Sequence, residues 1–187
     1  YREHAAAAVK AAAPRLPDKV LTYAELEAAH KAAPDDADVA ARLAGEYLRR
    51  DRADDARKLL DAVRAKDKTH PGAAVVLARL LKRAKDPAGA TAALEEAAKA
   101  HPADARVLLE LGKLYAEGKD YAQAAATFEA GRAAAPAEAD WLTELARVYD
   151  LGKNSDRLAA VLEEQTATSA DDLALHLQLA KLHANAN

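Results

Sequence analysis

Five columns of residues recur along this chain at a strict spacing of 34. Leu43, Leu77, Leu111, Leu145 and Leu179 form one column, and the residue after each is small: Ala44, Ala78, Gly112, Ala146 and Ala180. Tyr47, Leu81, Tyr115, Tyr149 and His183 form a third. Ala56, Ala90, Ala124 and Leu158 form a fourth, and Leu60, Leu94, Phe128 and Leu162 a fifth. Pro34, Pro102 and Pro136 fall in the same frame. A period of this length marks units that cannot bury their apolar face alone and must stack on their neighbours. The frame divides the chain into blocks 37–70, 71–104, 105–138 and 139–172, with 173–187 the first helix of a fifth, incomplete unit.

Within each block the apolar residues recur at helical spacing. The 187 residues include 53 Ala and 25 Leu, against 9 Val, 7 Thr and no Ile, which disfavours sheet. The breaks predict helix pairs over 37–50 and 53–66, 71–84 and 87–100, 105–117 and 121–134, and 139–151 and 155–167, with a last helix over 171–184. Asp86-Pro87 reads as an N-cap followed by a first-turn proline. Thr22 to Glu25 and Ser169 to Asp172 resemble capping boxes, and Ser155 and Ser169 read as caps. Gly118 and Gly152 are expected to supply the positive φ that ends a helix. Residues 1–36 fit the frame poorly; helices over 2–13 and 23–33 are expected to form an irregular pair packing on the first full unit. Val9 to Pro14 alternatively resembles the end of a unit, as in Gly131 to Pro136.

Twenty-seven basic against thirty acidic residues give a net charge of −3 with both signs dispersed, so nucleic acid is not an expected partner. With no cysteine, disulfides, thiolate catalysis and Cys-ligated zinc are excluded. No apolar run reaches the length of a membrane span. The chain does not begin with Met, and a longer parent reading frame is expected.

The run Leu108 to Pro136 carries Leu111, Gly112, Tyr115, Ala124, Phe128 and Pro136 at the spacing of a known repeat. On these residues the chain resembles the tetratricopeptide repeat family, with Gly131 standing where that family usually has Ala. Leu158 and Gln165 stand where it has small residues, which points to altered helix spacing in the fourth block. The resemblance implies an all-α, right-handed α-solenoid of antiparallel helix pairs. It also implies a concave face lined by the first helix of each pair and used to bind proteins or peptides.

On that implied face the ninth position of each block reads Gly45, Arg79, Lys113, Arg147 and Lys181, with Arg42, Lys82, Arg83 and Arg106 at other groove positions. The eight cations Arg42, Arg79, Lys82, Arg83, Arg106, Lys113, Arg147 and Lys181 make a track for an acidic peptide, or a ladder neutralised by Glu110, Glu144 and Asp150. The asparagines that some family members use to clamp a carboxylate are absent. Trp141 reads as a core filler rather than a ligand platform. The histidines show no helical zinc spacing; His176 and His183 are two turns apart, and His70 and His101 sit at helix ends, where imidazole can meet terminal carbonyls or the helix dipole. The acidic pairs Asp35-Asp36, Asp54-Asp55, Glu95-Glu96, Glu163-Glu164 and Asp171-Asp172 read as caps and solvated faces rather than catalytic dyads. The expectation is therefore a non-catalytic scaffold without cofactor or metal. The alternative is an accessory arm of a larger enzyme or of a secretion or assembly protein. In the last helix Leu175, Leu179 and Leu182 form a stripe broadened by Leu173 and Leu177, more leucine than a solvated cap needs. Either a further half-repeat or self-association is expected to cover it.

Overall fold

Each helix pair is closed by a three-residue turn, and in three of the four one residue serves both helices. After α6 (Ala105–Glu117), the amide of Asp120 donates to the Tyr115 carbonyl at 2.9 Å, and its carboxylate accepts from the Gln123 amide at 3.1 Å. The first bond closes the helix behind and the second caps α7 (Tyr121–Ala134) ahead. Asp86 does the same between α4 (Pro71–Arg83) and α5 (Pro87–Ala100), and Asn154 between α8 (Trp141–Leu151) and α9 (Ser155–Thr168). Between α2 (Ala37–Arg49) and α3 (Ala53–Lys66) the position is Arg52, whose amide makes the closing bond but whose side chain cannot cap. The computed structural model describes residues 21–137, 140–169 and 172–186; the expected helix over 2–13 lies outside them. α1 (Tyr23–Ala32) and α10 (Leu173–Ala186) complete ten helices, with no strand, among the described residues.

The turn geometry departs from expectation at one point. Gly118 and Gly152 have φ of −72° and −79°, ordinary helical values. The left-handed residues are the next ones along, Lys119 and Lys153, with Asp51 and Lys85 at the same frame position, at φ between 55° and 64°. Several caps also differ. Ser155 is the first helical residue behind the Asn154 cap, and Ser169 ends α9, while Asp172 caps α10 through the Ala174 and Leu175 amides. The Thr22–Glu25 capping box is present with both of its bonds. α8 begins at Trp141 because Asp140 is its cap, two residues later than the frame suggests. His70 accepts from the Ala73 amide at 3.2 Å, so it caps an N-terminus rather than meeting carbonyls.

Small residues set how closely the helices approach. A Cβ at Gly112 would clash with the ring edge of Phe128, lying within 3 Å of three of its atoms, and that ring is fully buried. The other three full blocks pair Ala44 with Leu60, Ala78 with Leu94 and Ala146 with Leu162 in the same two columns, so glycine stands where the opposing residue is the larger phenyl ring. Gly131 is explained the same way: a Cβ there would overlap the indole of Trp141. Trp141 is 2% exposed, donates to the Ala135 carbonyl at 2.8 Å and lies 6.4 Å from the Phe128 ring. It is a core filler, as expected.

α1 behaves as a shortened second helix. Leu26, three frame lengths before Phe128, is buried at 2%. Tyr23 and Tyr47 meet edge to face at 6.1 Å, and Arg50 and Arg52 stack on them at 4.1 and 4.2 Å, fastening α1 to α2. Three apolar clusters run through the stack, and residues such as Leu81, Ala98 and Tyr115 belong to two of them, so the core is continuous along the array.

Candidate functional site: the inner face of the first helices

α2 packs on α4 and α4 on α6, whereas the second helices α3, α5 and α7 are not stacked on one another in this way. Helices that touch their equivalents lie on the inside of the curve, so α2, α4 and α6 line the concave side. α6 and α8 lack that broad contact and are bridged instead by Lys113 and Glu144 at 3.5 Å. The fourth unit also has the larger Leu158 and Gln165; Leu158 is buried at 4% and Gln165 donates to the Thr143 hydroxyl at 3.2 Å.

The structure brings most of the candidate cations onto this face and gives them carboxylates. Arg79 on α4 meets Glu110 on α6 at 2.5 Å. Lys82 meets Glu117 at 2.6 Å, again from α4 to α6. Arg83 donates back to the Leu48 carbonyl and lies 3.1 Å from Asp51. Lys113 and Arg147 share Glu144, the latter at 2.6 Å. Arg106 turns back on the cap Asp104 at 2.8 Å and so belongs to a helix end. Arg42 is exposed on α2, and Lys181 is exposed on α10 with no ion pair among the described residues. Glu110 and Glu144 were legible as counter-charges; Glu117, which stands at the frame position of Arg83, and Asp51, in the turn after α2, were not, because neither recurs as an acid along its column.

Between α4 and α6 an open depression of about 220 Å³ is lined by Ala78, Arg79, Lys82, Arg83, Glu110 and Leu114. Its floor is aliphatic and its rim carries three cations against one carboxylate. On the flank of the stack a second pattern follows the repeat. Tyr115 donates to Glu95 at 2.7 Å and Tyr149 to Glu129 at 2.5 Å, each 20 residues back in the preceding second helix. Burial first, and then the bond to the carboxylate, push both phenols up to about 12. Among the described residues no group of three or more metal-ligating side chains comes together, and no helix is long and apolar enough to cross a membrane.

The profile of the tetratricopeptide repeat matches residues 22–80 and 81–148, more than half of the chain. The chain belongs to the tetratricopeptide repeat family. Its fold is accordingly the right-handed α-solenoid of antiparallel pairs that the repeat builds. Among solved structures this tetratricopeptide repeat chain is similar to TTC0263, a thermophilic TPR protein of Thermus thermophilus. The two share 21% identity over 87% of this chain and 89% of that one, with a TM-score of 0.64. It is also similar to MamA, residues 41 to the end, of Desulfovibrio magneticus RS-1, at 20% identity over 81% and 85% of the two chains and a TM-score of 0.63. PilF of Pseudomonas aeruginosa matches at 20% identity over 80% and 68%, with a TM-score of 0.65. At these identities the likeness is one of fold. A search of curated proteins finds no match.

Proposed function

We propose that this tetratricopeptide repeat chain is a non-catalytic scaffold that holds an extended protein or peptide segment against α2, α4, α6 and α8. An acidic segment with an aliphatic side chain fits best. The observation that carries this reading is the depression between α4 and α6, where Ala78 and Leu114 offer an apolar floor under Arg79, Lys82 and Arg83. The internal ion pairs do not close the site. Arg79 is 54% exposed and Lys82 46% exposed. Exposed pairs are worth about 0–1 kcal/mol, so a ligand carboxylate can replace Glu110 or Glu117 at little cost. Lys113, Arg147 and Lys181 extend the track toward the C-terminal end, and Arg42 and Arg106 flank it. Charge along a groove steers encounter and sets specificity more than affinity.

Fluorescence anisotropy with acidic, neutral and basic labelled peptides tests the reading. The acidic series is expected to bind at least about tenfold tighter than the basic one and to weaken with salt. Arg79→Gln with Lys82→Gln is expected to abolish that preference without loss of helicity. Equal binding of the acidic and basic series by the parent chain, or an unchanged preference in the double variant, would overturn it.

A further inference from the structure

The last helix is apolar on two opposite faces. Leu175, Leu179 and Leu182 turn inward and pack on the cluster built by α8 and α9. These three leucines are half-buried against the stack. At about 100° per residue, Leu173, Leu177, Ala180 and Ala184 fall together on the other side. Leu173 is 79% and Leu177 53% exposed, and both alanines are exposed. A helix whose outer face meets water is polar there, yet α10 holds no acidic residue and Lys181 is its one side chain with a permanent charge. In the preceding units the frame position of Leu177 holds Ala41 and Val75, buried at 2% and 7%, then half-buried Leu109 and exposed Thr143.

We propose that α10 binds α10 of a second copy of this chain, in antiparallel orientation about a two-fold axis. The stripe has its large residues in the first half and its small ones in the second. Antiparallel pairing sets Leu173 of one copy opposite Ala184 of the other, and Leu177 opposite Ala180, so each leucine meets an alanine along the whole contact. Parallel pairing would set leucine on leucine at one end and leave a gap at the other. The contact brings no carboxylates together, and the helix dipoles run in opposite directions. Two helices of 14 residues, about 21 Å long, bury on the order of 800 Å² in total, the class of weak and reversible associations. The surface is isologous, so it closes at two copies and does not propagate.

Sedimentation equilibrium on the 187-residue chain reads this directly. The apparent mass is expected to rise from 19.8 kDa toward twice that value as concentration goes from about 10 µM to about 1 mM, the range of a small interface. Leu177→Lys is expected to hold the mass at 19.8 kDa with unchanged circular dichroism, because the side chain it replaces is on the surface. The chain has no cysteine, so Ala180→Cys supplies a single thiol near the axis. It is expected to form a disulfide-linked dimer on mild oxidation, and Gln178→Cys, on the flank of the helix, several-fold less. A monomer throughout, a dimer indifferent to Leu177→Lys, or a dimer in which Ala180→Cys fails to cross-link would each overturn the proposal.

Discussion

Replacing Gly112 by alanine ordinarily stabilises a helix by about 1 kcal/mol, because glycine is the more costly residue to order there. In this chain the sign should reverse. The added Cβ would lie 2.7 Å from Phe128 Cδ1 and 2.8 Å from its Cζ, with another ring atom closer still. The ring has no free side to retreat to, since Phe128 is fully buried and tilted against Trp141. Overpacking of a filled core costs about 1–3 kcal/mol, so the net loss for Gly112→Ala should be about 1–2 kcal/mol. Phe128→Leu alone should lose a similar amount through vacated volume. The two together recreate the Ala–Leu pairing of the other three blocks, and the double variant should return to within about 0.5 kcal/mol of the parent. That is a favourable coupling of about 2–4 kcal/mol in a double-mutant cycle. Urea unfolding measures it, followed both by circular dichroism and by the fluorescence of Trp141. Coincidence of the two signals licenses two-state treatment, which a repeat array does not guarantee. A neutral or stabilising Gly112→Ala, or two single losses that simply add, would refute the argument that the two columns are fitted to one another.

Lys85→Gly should stabilise by a few tenths to about 1 kcal/mol, because relief of a left-handed side chain exceeds the entropy glycine adds. Gly118→Ala, at a helical φ, should stay within about 0.5 kcal/mol of the parent; urea midpoints decide both. Stability should also fall between about pH 10 and pH 12. Tyr115 and Tyr149 are pushed up to about 12 in the fold, while an unfolded tyrosine titrates near pH 10. In that window the unfolded chain has released protons that the folded chain keeps, so rising pH favours unfolding; the contribution is complete below pH 10. Urea midpoints across pH should show the fall, tyrosinate absorbance should place the folded transition, and Tyr115→Phe with Tyr149→Phe should reduce the fall and remove two of the six tyrosinate signals, those titrating near pH 12.

The helix pairs were legible because two signals coincide: an apolar frame of fixed length, and acids or prolines where most of the helices begin. Asp86-Pro87 shows both at once. Trp141 was legible as core, and Gly131 as an oddity, but the contact that makes each explain the other needs the fold. The left-handed residues were not legible. Glycine stands one position too early in two units, and the true positions hold Asp51, Lys85, Lys119 and Lys153, side chains that give no conformational signal. The start of α8 was missed because the frame places it two residues early, and the helix is capped by Asp140 instead. The cations of the groove were found by period, yet their charge balance was not, since the partners Asp51 and Glu117 are single acids in columns that hold basic residues elsewhere.

The shared turn residue restricts how this chain can change in length. At Asp86, Asp120 and Asn154 one residue closes a helix with its amide and opens the next with its side chain. An inserted residue on either side would separate those two roles and leave one helix end unsatisfied. Between pairs the two tasks fall to different residues, as where His101 ends α5 and Asp104 caps α6. That connection can lengthen without cutting either bond. Insertions and deletions should therefore accumulate at the junctions 67–70, 101–104 and 135–140, and be rejected at 84–86, 118–120 and 152–154. A graft or tag belongs at the former.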